Sequence, residues 1–106
     1  MKKLALLTIA IFQLLNTYAQ QLNVATFNIR HTNKNDVGNM WDERKNAVTD
    51  LIKYHEFDIF GTQEGLNQQI QDIANNLPNH KHIGVGRTDG KDKGEYSAIF
   101  YNNDKF

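Results

Sequence analysis

The chain has 106 residues, with twelve basic side chains, twelve acidic ones, four histidines and no cysteine. The missing cysteine excludes a disulfide framework, a thiolate metal site and a lipid-modified cysteine behind a leader. The balanced charge supplies no broad basic surface of the kind that non-specific nucleic-acid binding needs, so nucleic acid is an open but disfavoured partner.

Met1-Lys2-Lys3 is a short basic start, and Leu4 to Leu15 is apolar except for Thr8 and Gln13. Small residues follow at Thr17 and Ala19. This is the pattern of a cleavable signal peptide over residues 1–19, cut after Ala19. The apolar run is short for a bilayer span, so no stable membrane anchor is expected. The product is expected to be secreted or periplasmic. Cleavage leaves 87 residues carrying ten basic and twelve acidic side chains, a formal charge of −2. That length supports one small domain of modest buried surface.

Gln21 to Ile29 reads as a first strand. Ala25, Phe27 and Ile29 point one way and Leu22, Val24 and Thr26 the other, which predicts cover on both faces. Arg30 to Gly38 is a polar loop. A helix follows, with Asn39 as its cap and Asp42 and Glu43 in the first turn, where the helix dipole favours negative charge. Trp41, Val48, Leu51, Ile52 and His55, with Ala47 beside them, form its apolar stripe. Lys45, Asn46, Thr49, Asp50 and Lys53 take the wet side. Ile59 to Thr62 reads as the second strand. Gly65 turns the chain into a second helix from about Asn67 to Leu77. Its stripe is Leu66, Ile70, Ile73, Ala74 and Leu77, and Pro78 stops it.

His80 to Gly86 predicts a third strand with Ile83 and Val85 buried. Arg87 to Gly94 is a charged glycine loop. Tyr96 to Tyr101 is a fourth strand with apolar side chains on both faces. Strands alternating with amphipathic helices predict an α/β sheet, and a right-handed crossover puts the first two strands in parallel. The chain stops at Asn102-Asn103-Asp104-Lys105-Phe106, with no element closing it, and reads as a cut end.

Two stretches carry the chemistry. Val24-Ala25-Thr26-Phe27-Asn28-Ile29-Arg30 closes on an amide and a cation. Phe57-Asp58-Ile59-Phe60-Gly61-Thr62-Gln63-Glu64-Gly65 closes on two polar side chains and a glycine. Neighbouring strands lie about 4.8 Å apart. Asn28 and Glu64 would then share the carboxyl edge of the sheet, where open α/β folds keep their ligand sites. A carboxylate and an amide carbonyl are hard donors that suit magnesium or manganese better than zinc, completed by waters and phosphate oxygens. The residues alone leave two plainer readings open, Glu64 as a cap of the following helix and Asn28 as a strand terminator.

Other candidates are weaker. Trp41 with Arg44 would line a substrate mouth, although core packing suits Trp41 better. Arg87, with Asp89, Gly90 and Gly94, lies on a loop that either touches substrate or is simply solvated. Ser97 has no base partner and is no nucleophile. His31, His55, His80 and His82 lack the context of a ligand or base. No glycine-rich phosphate loop follows the first strand, which argues against a P-loop or nicotinamide enzyme.

Phe27-Asn28-Ile29-Arg30, Asp58 to Glu64 and Gly94-Glu95-Tyr96-Ser97-Ala98-Ile99-Phe100-Tyr101 occur in that order. In this arrangement the chain resembles the amino-terminal half of the endonuclease/exonuclease/phosphatase superfamily, the phosphoesterases related to exonuclease III and neutral sphingomyelinase, in a secreted bacterial branch. The resemblance implies the first half of a four-layer α/β sandwich, two mixed sheets flanked by helices, over residues 20–106. It implies metal-dependent phosphoester hydrolysis with Glu64 as the main ligand of Mg2+ (or Mn2+) and Asn28 holding metal or phosphate. The family's general base, a histidine, and its remaining acidic ligands would lie beyond Phe106. DNA-repair members carry an acid two places after the asparagine, and this chain has Arg30 there. Arg30 either contacts a substrate phosphate or pairs with Asp36. The rival class is a non-catalytic truncated product or a small secreted binding module.

Overall fold

The computed structural model describes residues 1–2 and 19–106. The core of the expected signal peptide therefore lies outside the described residues. None of the described helices is long and apolar enough to cross a membrane.

Strand β1 (Val24–Asn28) leads through a polar loop to helix α1 (Trp41–Tyr54) and strand β2 (Ile59–Gly65). Helix α2 (Asn67–Asn76), strand β3 (His80–Ile83) and strand β4 (Tyr96–Asn102) follow. One mixed sheet has the order β1-β2-β4-β3. Strands β1 and β2 are parallel, while β4 runs antiparallel to both of its neighbours. The long α1 connection makes the parallel pairing feasible, since no tight turn can reverse a chain twice.

Both helices lie on the same face of the sheet. There Phe60, Ala98 and Phe100 meet Val48, Ile52, Ile70 and Ile73, with Trp41, Tyr96 and Leu77 at the margins. The rings of Phe60 and Phe100 stack with centroids 4.8 Å apart. Burying each such ring contributes about 1.5–3 kcal/mol.

The other face is open. Val24 is 63% exposed, Ile83 60% and Ile99 45%. Among the described residues nothing covers the second face of β1 and β4, and Ile83 and Val85, expected to be buried, are exposed. Among the described residues there is one sheet and one helix layer.

Several boundaries also move. β2 runs on to Gly65, past the expected end at Thr62. β3 stops at Ile83, because Gly84 takes φ +150° where a Cβ would lie 2.9 Å from the Ala98 Cα. α1 is capped at Met40, whose N–H donates to the Glu43 carboxylate at 2.9 Å, and Asn39 is not the cap. The helix is rolled so that Thr49 is buried and Leu51 is 42% exposed. Burial suits Thr49 because its hydroxyl donates back to the Lys45 and Asn46 carbonyls.

Candidate functional site

Asn28 and Glu64 meet at the carboxyl end of the parallel pair. The Asn28 amide donates to Glu64 Oε1 at 2.9 Å. Strand alternation alone would not produce this contact. Gln63 is the register partner of Asn28, so Glu64 should turn to the helix-covered face. Against β4, however, Thr62 pairs with Ala98 and Gly65 with Tyr96, three residue steps opposing two. The extra residue is a β-bulge, and Glu64 adopts φ +63° within it. Both Gln63 and Glu64 thus stay on the open face. A left-handed non-glycine residue costs about 1–3 kcal/mol, so the surroundings must hold it. Gly65 then lets α2 start at once, since a Cβ there would fall 2.8 Å from Ile70 Cδ1 and 3.0 Å from Ile29 Cδ1.

Glu64 does not cap α2. That task falls to Gln69, whose side-chain oxygen accepts the Leu66 N–H at 3.1 Å. The Glu64 carboxyl is held below the usual carboxylate range. The Asn28 hydrogen bond is the main cause, helped by the His31 backbone amide and the charges of His31 and Arg30, against a partial opposing effect of burial. Glu64 is therefore ionised near neutrality, with its side chain 40% exposed.

A cleft of about 500 Å³ opens here, lined by Asn28, Glu64, Gly84, Arg87, Glu95 and Ser97 among others. The hairpin that carries Arg87 is built firmly. Asp89 accepts the N–H groups of Lys91 and Lys93, and the Tyr96 hydroxyl donates to the Lys91 carbonyl at 3.0 Å. Arg87 pairs with Glu95 at 3.2 Å, while the other Glu95 oxygen is 3.8 Å from His31 Nδ1. His31 Nδ1 is also 3.8 Å from Glu64 Oε2.

Of the residues singled out in the sequence, Asn28, Glu64 and Arg87 line this cleft. Arg30 does not. Its guanidinium pairs with Asp36 at 2.6 Å, so the pairing alternative is the one realised. Trp41 is buried and donates to Asp72 at 2.8 Å. His80 contacts the Phe57 carbonyl and His82 packs on Phe100, far from a ligand role.

The structure also places Glu95 in the cleft wall, a residue not weighed in the sequence, and brings His31, set aside there, to 3.8 Å from Glu64. An antiparallel β2–β4 pairing would have revealed Glu95, because it brings the start of β4 beside the end of β2.

Among the described residues, no three His, Cys, Asp or Glu side chains form a group able to hold a metal ion. The donors present suit a hard cation that keeps waters and phosphate oxygens. Glu64 supplies an ionised oxygen with one face free, and Asn28 supplies a second polar group against it.

No protein-family model matches the sequence, and no curated protein is similar to it. Solved structures are. A mannosyl-6-phosphatase from Bacteroides thetaiotaomicron is 49% identical, with a TM-score of 0.77 over 79% of this chain and 32% of the other. An endonuclease/exonuclease/phosphatase from Bacteroides vulgatus is also 49% identical, with a TM-score of 0.79 over 81% and 33%. This chain belongs to the endonuclease/exonuclease/phosphatase family. A conserved protein from Enterococcus faecalis with no stated function is 32% identical, with a TM-score of 0.68 over 74% and 31%. The chain thus spans about a third of the length of these three structures.

Proposed function

We propose that this chain is the amino-terminal part of a metal-dependent phosphoesterase that acts on a phosphomonoester, with a sugar phosphate as the favoured substrate class. One observation carries the reading: an ionised carboxylate, Glu64, is tied to Asn28 at the open edge of two parallel strands, inside a cleft bordered by Arg87. The likeness to a mannosyl-6-phosphatase supports the substrate class.

Glu64 is the protein's metal-binding oxygen and Asn28 orients it. Magnesium (or manganese), when bound, neutralises charge on the phosphoryl oxygens and the leaving oxygen. Arg87 offers charge-assisted donors to a phosphate or to sugar hydroxyls at the cleft wall. The group that activates water belongs to the part beyond Phe106.

The same reading makes residues 20–106 the opening part, about a third, of a four-layer sandwich. A second sheet would cover Val24, Ile83 and Ile99, which now form an open apolar face. It also makes residues 1–19 a leader that exports the product.

The test is hydrolysis of mannose 6-phosphate and of p-nitrophenyl phosphate by the full-length gene product, with magnesium and with chelator. Chelator-sensitive turnover of the monoesters supports the reading. A full-length product that folds, binds magnesium and hydrolyses neither would favour the non-catalytic alternative.

A further inference from the structure

The loop after β1 is held by two helix side chains that no part of the proposed chemistry uses, and one of them also reaches the segment after β2. Gln69, on the first turn of α2, is completely buried. Its oxygen accepts the Thr32 N–H at 3.0 Å and the Leu66 N–H at 3.1 Å, and its amide nitrogen donates to the Arg30 carbonyl at 3.0 Å. Two N–H donors on one side and a carbonyl on the other dictate which way the amide faces. One buried side chain therefore spans the loop that follows Asn28 and the segment that follows Glu64.

Arg44, on α1, holds the same loop from the other side. It donates to the Ile29 carbonyl at 3.0 Å, to the Arg30 carbonyl at 3.1 Å and to the Asn39 carbonyl at 2.6 Å. All five donors of a guanidinium sit in one rigid plane, which suits it to gather several carbonyls at fixed positions.

The object these two side chains hold is the backbone on either side of Arg30: Arg44 takes the Ile29 carbonyl, which shares a peptide group with the Arg30 N–H, and both side chains take the Arg30 carbonyl, with Arg30 left-handed at φ +53°. The Arg30 N–H donates to Asn28 Oδ1 at 2.9 Å, and that bond turns the Asn28 NH2 group toward Glu64. We infer that Gln69 and Arg44 are positioning residues for the Asn28–Glu64 pair, acting through the backbone at Arg30. The inference rests on the reading of Glu64 and Asn28 as metal-site residues. It adds that the helix layer, together with the strand register and bulge, sets the pair's geometry.

The test uses the full-length protein and four variants: Gln69→Glu, Gln69→Leu, Arg44→Lys and Arg44→Ala. Three quantities are read: Mn2+ affinity, kcat and KM for p-nitrophenyl phosphate, and the Asn28 side-chain and Arg30 backbone amide resonances. Gln69→Glu keeps the acceptor toward Thr32 and Leu66 and loses the donor toward Arg30. Loss of a partner that orients a ligand typically costs about 10–100-fold in metal affinity or activity. We expect a loss of that size in Mn2+ affinity and kcat for Gln69→Glu and Arg44→Ala, with KM unchanged and both amide resonances displaced. Arg44→Lys should recover part of the loss, and methylguanidinium should restore Arg44→Ala but neither Gln69 variant.

Unmoved resonances with parental Mn2+ affinity in folded Gln69→Glu and Arg44→Ala would overturn the inference. So would a loss confined to thermal stability. If Gln69→Leu does not fold, Arg44→Lys and the methylguanidinium rescue decide. If Glu64→Gln leaves Mn2+ affinity intact, the metal reading fails by itself. The positioning inference then stands or falls on the Asn28 and Arg30 resonances.

Discussion

Two carboxylates bracket β2, and they are held by similar bonds for opposite ends. Asp58 precedes the strand and is almost fully buried. It accepts the Asn23 N–H at 2.9 Å and the Lys105 ammonium at 2.6 Å, which ties the start of β1 to the segment after β4. Glu64 lies at the far end of the strand and is partly exposed, with His31 Nδ1 3.8 Å from its second oxygen. Both carboxyls are pulled below the usual range, Asp58 chiefly by the Asn23 N–H and then by Lys105, Glu64 chiefly by Asn28. A lowered pKa therefore does not separate structure from function in this molecule. Exposure distinguishes the two: Asp58 is almost fully buried against the chain, and Glu64 lines a cleft on a left-handed backbone.

The largest expected effect comes from Glu64. In the full-length protein, Glu64→Gln should lower phosphoester turnover by orders of magnitude, and its melting temperature without metal should change little, since the neutral amide keeps an acceptor for Asn28. Steady-state kinetics with a thermal melt checks both. Unchanged turnover at saturating magnesium would erase the contrast with Asp58.

Asn28→Ala should follow, with a loss of about 10–100-fold in turnover, the range for removing a partner that orients a ligand. Less of this loss should be recovered by added metal than in variants that only weaken binding. A magnesium titration of kcat measures it.

Asp58→Asn should act the other way. It weakens the Lys105 pair and the Asn23 bond, so the melting temperature should fall while kcat stays at the parental value in the folded protein. A kinetic defect without a thermal one would place Asp58 on the functional side.

The smallest effect is on acid stability. Both folded-state carboxyls lie below their unfolded value of about 3.9–4.3. The unfolded chain therefore binds protons first as pH falls. The stability each carboxylate adds is fully present above pH of about 4–5 and is lost as pH falls through the lower folded values. Asp58→Asn should flatten the acid limb of a urea-denaturation series, and Glu64→Gln should flatten it too. Equal slopes for parent and both variants would mean that neither bond distinguishes the folded state.

The sequence by itself determined the order of elements and the edge at which Asn28 and Glu64 appear. Those depend on local signals: period-2 and period-3.6 apolar patterns, Gly65 and Pro78 as breakers, and polar residues closing apolar runs. The stripe of α1 was legible at Trp41, Val48 and Ile52. It failed at Thr49 and Leu51, where a small roll of the helix and back-bonding by a threonine hydroxyl decided burial.

What tertiary structure decided is nonlocal. The insertion of β4 between β2 and β3 set which residue stands beside Glu64, and so brought in Glu95 and Arg87. The bulge that keeps Glu64 on the open face exists only in the register between β2 and β4. Gln69 is buried because three backbone groups converge on its amide, two from the distant loop after β1 and one from Leu66 just before α2. Such a residue carries no local sign of its role, because the partners that satisfy it are separated from it by up to 39 positions and meet only when the sheet and helices have packed.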